Sequence, residues 1–448
     1  VQGQYHFWVT SFKLRNNPLE VFQNWAKDAI IISDPKLVTE LFSDINSTGR
    51  PFHPLADYFG KGHGIVTSQG HIWAAQRSFT VRKLRDFGLL RSSNETSLLA
   101  DAEALISFFE HRVGKPISGL KLFNGPVING LWKIISGESC NLDSETKPEI
   151  VKRTECLLEI ANKTSVLYFA PFLRHIAPNF FEWTNWTNAV DSIFELTRKS
   201  VKKHTQQMDE NNPQDFIDHY LLKIRATTDP SSTFYQENGM KNLEAIVNDV
   251  IGAGSDSTSV TLSFATLYLL LNQDAQRNAQ QELDRVVGSS RQVSLSDKNL
   301  LPYTRAVILE TLRLSSIAPL GIAHQMLTDT IFHGYLFPKD VMVIAGLYTI
   351  HHDVKLWGDD VNEFRPERFL NEDKTKLIPH PALMPFCVGR RACLGENLAR
   401  DNLFIFLASI LQRFNIEPDP ECPVLKVETQ TGVAVEPKPF KFMLSLRN

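Results

Sequence analysis

The stretch Phe386-Cys387-Val388-Gly389-Arg390-Arg391-Ala392-Cys393-Leu394-Gly395 decides how this chain is read, and it runs directly into an apolar segment from Leu398 to Phe414. Leu394, Leu398, the run Leu403 to Leu407 and the pair Ile410-Leu411 make an apolar pattern too long for a strand and dense enough for a buried helix. That pattern predicts Cys393 at a helix N-terminus, where unpaired N–H groups and the positive end of the helix dipole stabilise a thiolate and lower the thiol pKa. Gly389 and Gly395 bracket the cysteine, and a glycine backbone can pass a bulky planar ligand where a Cβ would clash. Arg391 places a fixed cation two residues before the sulfur, suited to a carboxylate of the same ligand. A lone buried cysteine is more often a small inert hydrophobe. The surrounding pattern, rather than the cysteine itself, therefore carries the inference.

The 448 residues are 43% hydrophobic, an ordinary value for a globular protein, and the net charge of −3 comes from interspersed acids and bases. No strongly basic face of the kind nucleic-acid binding requires is visible. The five cysteines, Cys140, Cys156, Cys387, Cys393 and Cys422, are odd in number and lack paired spacing, which reads as free thiols in a reducing compartment. Four Asn-x-Ser/Thr sequons, at Asn46, Asn94, Asn162 and Asn185, are read as chance recurrences of a short motif. No stretch reaches the ~18 apolar residues of a transmembrane helix, and no signal peptide is visible.

Phe-x-x-Gly-x-Arg-x-Cys-x-Gly, with all five fixed positions filled, resembles the haem-binding signature of the cytochrome P-450 superfamily. The resemblance implies that Phe386, Gly389, Arg391, Cys393 and Gly395 form the haem-binding loop. Cys393 would be the axial iron ligand, pushing electron density towards the metal to favour O–O cleavage. Four further motifs follow in the family's order. Trp73 and Arg77 lie i, i+4 on one helix face after the glycine-rich stretch Gly62 to Gly70, and resemble the pair that holds a haem propionate. Glu310 and Arg313 at i, i+3, with Phe364-Arg-Pro-Glu-Arg368-Phe369, resemble the Glu-x-x-Arg and Phe-x-Pro-x-Arg-Phe pair that fixes the thiolate loop. Gly432-Val433-Ala434 resembles the last turn that contacts substrate.

The remaining motif lies in a single predicted helix from Leu243 to Leu271, interrupted by Gly252-Ala-Gly-Ser-Asp-Ser-Thr-Ser259. Two glycines inside a helix cost about 1 kcal/mol each relative to alanine, and an aspartate in so apolar a helix costs more unless it is partnered. A local violation of this kind points to function. The stretch resembles the family's oxygen-binding motif, which implies that Ala253 and Gly254 leave room for O₂ while Asp256, with Ser257 or Thr258, relays protons. Ser257 stands where threonine is commonest. The structural alternative is a hydroxyl bonded back to the carbonyl four residues earlier in a bent helix.

Elsewhere, Ala29 to Ser33 is a β-prone run, and Asp34-Pro35 opens a predicted helix over Lys36 to Phe42. Thr10 to Ile30 reads as more helical than the family's usual hairpin. The segment from Tyr168 to Trp186 is rich in aromatic residues, and in the family this region roofs the substrate cavity. His324, after a pocket-lining stretch from Ile317, is expected to donate to a propionate. Arg82, Lys83 and Arg85, with Arg390 and Arg400, are expected to face an acidic redox partner.

The resemblance implies a mainly α fold, a triangular helical prism with a small β-rich lobe, as one domain over 1–448 whose N-terminal membrane anchor lies outside this sequence. It implies haem b as cofactor and a monooxygenase at the cytosolic face of the endoplasmic reticulum membrane, with NADPH-cytochrome P-450 reductase, O₂, a lipophilic substrate and the membrane surface as partners. A haem-thiolate isomerase or dehydratase would not need the Asp256–Ser257 pair. A haem-binding sensor would leave the helix interruption unexplained.

Overall fold

The structure is a computed structural model that describes residues 8–9, 29–85, 92–140, 147–164, 166–424, 426–431 and 434–447. The expectations for residues 10–28 and for Gly432-Val433 lie outside the described residues. The fold is mainly helical with small β-sheets, as the sequence reading requires. The described backbone packs as two compact units, one of Val1–Phe52, Ala318–Glu363 and His380–Leu394, the other of His53–Ile317, Phe364–Pro379 and Gly395–Asn448.

The first unit holds a four-stranded sheet of β1 (Trp8–Val9), β2 (Ala29–Ile32), β4 (His324–Gln325) and β7 (Met342–Ala345), in the order β1-β2-β7-β4. Ile30, Ile31 and Ile32 pair in parallel with Val343, Ile344 and Ala345. Helix α1 (Pro35–Ser43) begins where expected: Asp34 caps it, its side chain accepting from the N–H of Lys36 and Leu37 at 2.9 Å, with proline in the first turn. The hairpin β5 (Thr330–Phe332) and β6 (Tyr335–Phe337) completes the strands of this unit.

The second unit carries most of the helices, among them α2 (Pro54–Gly60), α3 (Gly70–Leu84), α4 (Ser92–Glu110), α5 (Asn124–Ser136), α6 (Glu149–Lys163), α7 (Trp183–Gln207) and α8 (Phe216–Arg225). They are followed by α9 (Gln236–Leu271), α10 (Gln273–Val286), α11 (Pro302–Ser315) and α12 (Glu396–Arg413). Its sheets are β3 (Ile117–Ser118) and β8 (Phe414–Pro418) flanking β11 (Lys441–Leu446), and the pair β9 (Thr429–Thr431) and β10 (Val435–Pro437). Helix α9, 36 residues long, starts seven residues before the predicted boundary and is buried on most faces from Val260 to Leu270. An apolar stretch buried all round is what a central helix requires. Among the described residues no helix is long and apolar enough to cross a membrane.

Candidate active site

In the first unit the cysteine loop is stapled to the end of α1. The backbone N–H of Arg390 donates to the Phe42 carbonyl at 2.9 Å, and its Nε donates to the Ser43 carbonyl at 2.8 Å. Arg391, buried, gives Nε and Nη2 to the Thr48 carbonyl at 3.0 and 2.7 Å. The N–H of Cys393 closes the loop on the Phe386 carbonyl at 2.9 Å. Gly389 has φ +76°, and a Cβ there would stand 2.1 Å from the Phe42 carbonyl oxygen. Its freedom is therefore used for packing against the protein, not against a ligand. A Cβ on Gly395 would meet no atom of the chain within 4 Å.

The two cysteines of the loop are distinguished by their surroundings. Cys393 is exposed and Cys387 half-buried. Burial pushes the Cys387 thiol up, against the backbone N–H of Val388 and the charge of Arg50, with Cys393 adding to the rise. Cys393 lies two residues before Gly395, the N-cap of α12. It thus sits just ahead of the helix, whereas the sequence pattern placed it at the helix N-terminus.

His324 stacks on Phe42 with ring centroids 3.8 Å apart, and its Nδ1 lies 2.8 Å from the Ser47 carbonyl. Burial first, then the charges of Arg50 and Arg391, hold its pKa down to about 3, against the Ser47 hydrogen bond. At neutral pH the ring carries one proton, committed to Ser47, so donation from Nε2 requires an anion beside it to restore a second proton. Arg50, which the sequence reading missed, donates from Nη1 to the Ala323 carbonyl at 2.9 Å. Arg50 and Arg391, with the neutral His324 ring beside them, thus form a positively charged group whose chemistry suits a carboxylate. Arg50 had no sequence signal of its own, because its proximity to His324 arises only when β4 joins the sheet.

The second unit carries the other expected residues. Trp73 is buried and Arg77 half-buried on α3. On α9, Ala253 is exposed, while Gly252, Gly254, Asp256 and Ser257 are half-buried and Thr258 is buried. Gly254 packs against Leu131, where a Cβ would stand 2.9 Å from a methyl carbon. Ser257 Oγ donates to the Ala253 carbonyl at 2.8 Å, the back-bonded geometry of the structural alternative, and its lone pairs remain to accept. Burial first, then the charge of Glu436, raises Asp256 to about 6, against Lys121.

Asp249, two turns before Asp256, was also missed. Its Oδ2 accepts from the N–H of Ile65 at 2.6 Å and of Val66 at 3.1 Å, while Asn242 Oδ1 accepts from Gly64 at 3.1 Å. These bonds fix the glycine-rich stretch that leads into α3. Burial raises Asp249 to about 7, against those two donors. An aspartate in an apolar helix was the available signal, and Asp256 drew it instead.

The expected ion cluster is present. Arg313 donates from Nε and Nη2 to Glu310 at 2.7 Å each, and Arg368 Nε donates to Glu310 at 2.9 Å.

The residues present fit an iron porphyrin: an exposed thiol ahead of a helix, cationic groups for its carboxylates and an unobstructed glycine at Gly395. The family model for Cytochrome P450 matches residues 2–444. Similar proteins include Farnesoate epoxidase of Bombyx mori, 30% identical over 423 residues, covering 94% of this chain and 84% of the relative. Cytochrome P450 2F2 of Mus musculus is 32% identical over 434 residues, 94% and 86% of the two chains. Cytochrome P450 2J2 of Homo sapiens is 32% identical over 416 residues, 91% and 80%. The chain belongs to the cytochrome P450 family, and it is a haem-thiolate monooxygenase.

Proposed function

We propose that this enzyme binds haem b through Cys393 and inserts one atom of O₂ into a lipophilic small molecule, by hydroxylation or epoxidation. Electrons would come from NADPH-cytochrome P-450 reductase at the cytosolic face of the endoplasmic reticulum membrane. The observation that carries this reading is the exposed Cys393 on a loop whose flanking residues are bonded to the protein on both sides. When bound, haem supplies the binding and reductive splitting of O₂. Trp73 and Arg77 in the second unit, and separately Arg50, Arg391 and His324 in the first, carry donor chemistry that suits a haem propionate. Ala253 keeps the exposed helix surface low, while Gly254 makes room for Leu131, and Asp256, raised to about 6, can take up a proton near neutral pH that the Ser257 hydroxyl passes on.

The retained Asp256–Ser257 pair disfavours an isomerase or a sensor. Likeness to Farnesoate epoxidase favours terpenoid epoxidation among lipophilic substrates, beside steroids, fatty acids and xenobiotics. The docking face for the reductase is assigned to Arg82, Lys83 and Arg85 at the end of α3. Arg400 is engaged by Glu396 at 2.9 Å and Arg390 by Ser43. The test is turnover with the reductase, NADPH and ¹⁸O₂ against a lipid and terpenoid panel. One labelled oxygen per product supports the reading. Product formed without NADPH overturns it.

A further inference from the structure

We propose that His204, Asp215 and Asp218, with the carbonyl of Ser136, form a site for one divalent transition-metal ion of the zinc type, which ties together the adjoining ends of α5, α7 and α8. The site lies within the second unit and uses none of the residues assigned to haem. A ring nitrogen of His204 and one oxygen from each carboxylate all lie within 4.8 Å of one another.

A helix cap accounts for only half of this arrangement. Asp215 Oδ1 accepts from the Asp218 N–H at 2.9 Å, and Asp218 Oδ2 accepts from the Gln214 N–H at 3.0 Å. Each carboxylate therefore uses one oxygen to start α8, and the other oxygen is left over. Asp215 Oδ2 stands 3.0 Å from His204 Nε2. Asp218 Oδ1 is buried, in a residue 5% exposed, and has no hydrogen-bond donor among the described residues. A carboxylate oxygen left so is costly unless a cation meets it.

The imidazole is oriented for the same task. Its Nδ1 lies 2.8 Å from the Ser200 carbonyl, which can only accept, so Nδ1 carries a proton. A backbone carbonyl on the far ring nitrogen is how metal-binding histidines are commonly held. In the neutral ring Nε2 then presents a lone pair to two further acceptors, Asp215 Oδ2 and the Ser136 carbonyl at 3.1 Å. Acceptors gathered in this way require a positive charge between them. In the metal-free protein a proton on Nε2 serves Asp215 and Ser136 but leaves Asp218 Oδ1 unmet. A divalent ion displaces that proton, and the two carboxylates balance its charge. One nitrogen among oxygens favours zinc over calcium or magnesium, which take oxygen ligands. Neighbouring ligands of a tetrahedral zinc ion stand about 3.4 Å apart, close to the 3.0 and 3.1 Å around Nε2. Gly137, with φ +66°, keeps the approach clear, since a Cβ there would stand 3.0 Å from Asp215 Oδ2.

The test uses the haem-loaded enzyme, without an affinity tag and stripped of loose metal by a chelator, titrated with zinc chloride by calorimetry. One zinc ion per chain should bind with micromolar or tighter affinity. Zinc-edge X-ray absorption should show nitrogen and oxygen at about 2.0–2.2 Å and no sulfur at about 2.3 Å. Asp218→Asn keeps an oxygen for the Gln214 N–H and should weaken binding more than about tenfold, with haem content unchanged. His204→Gln should do the same, so the result does not depend on one variant folding. No binding to the wild type, wild-type affinity in either haem-loaded variant, or a sulfur shell, which would place the ion on a cysteine, overturns the proposal.

Discussion

Glu310 and Arg313, one turn apart on α11, meet through two hydrogen bonds of 2.7 Å with neither side chain exposed to solvent. Arg368 and the backbone N–H of Arg365 complete the shell of the carboxylate at 2.9 and 3.0 Å. A buried cluster of this kind adds little net stability over apolar packing, yet removing one partner strands the others. Glu310→Gln should therefore lower the unfolding free energy by about 3 kcal/mol, measured by denaturant unfolding of the haem-loaded protein. An unchanged midpoint would mean that Arg313 and Arg368 find other acceptors.

Asp249 is expected to hold the loop of Gly64, Ile65 and Val66 against α9. Asp249→Ala leaves one buried and one half-buried N–H group without their acceptor, which costs about 2 kcal/mol, and hydrogen exchange at Ile65 and Val66 should accelerate. The pH dependence has a definite sign. The carboxyl is raised from 3.8 to about 7, so its contribution to stability is fully present below pH 3.8 and is lost as pH rises through 7. The stability of Asp249→Asn, which cannot ionise, should fall less than that of the wild type between pH 4 and 7.

His204 on α7 should act as a buried cation. Its Nδ1 lies 2.8 Å from the Ser200 carbonyl, and its Nε2 lies 3.1 Å from the Ser136 carbonyl and 3.0 Å from Asp215 Oδ2. Burial alone would lower its pKa, but the bonds to Asp215 and Ser200 and the charge of Asp215 raise it to about 9. Its stabilising contribution is present below pH 6.5 and is lost as pH rises through 9. Thermal unfolding of wild type and His204→Gln should differ most near pH 6 and converge near pH 9.5. A constant difference would show that the ring is neutral throughout.

The cysteine loop, the α9 interruption and the Glu310 cluster were legible because each breaks a local rule at a fixed spacing. Arg50 and the carbonyls of Phe42, Ser47 and Thr48 were not, because a backbone acceptor has no sequence signature and the pairing of β4 with β7 is long-range. Gly389 was legible as a required glycine for the wrong reason. The sequence shows that a Cβ is forbidden there but does not show that Phe42 forbids it. Ser257 shows the same limit, since a hydroxyl that serves a ligand and one that serves its own helix share one spacing.

Ser257→Ala should raise peroxide release per NADPH severalfold, within the range of a lost proton donor, with haem content unchanged. Since Ser257 Oγ donates to the Ala253 carbonyl, coupling that stays at the wild-type level would leave the hydroxyl a purely structural role.

Cys393, and not Cys387, is proposed to provide the thiolate. The most direct measurement is the reduced carbonyl difference spectrum of the two single variants, each loaded with haem. Cys393→Ser should lose the thiolate-type Soret band while Cys387→Ser retains it. Retention of that band in Cys393→Ser, or its loss only in Cys387→Ser, would mean that Cys393 is not the iron ligand.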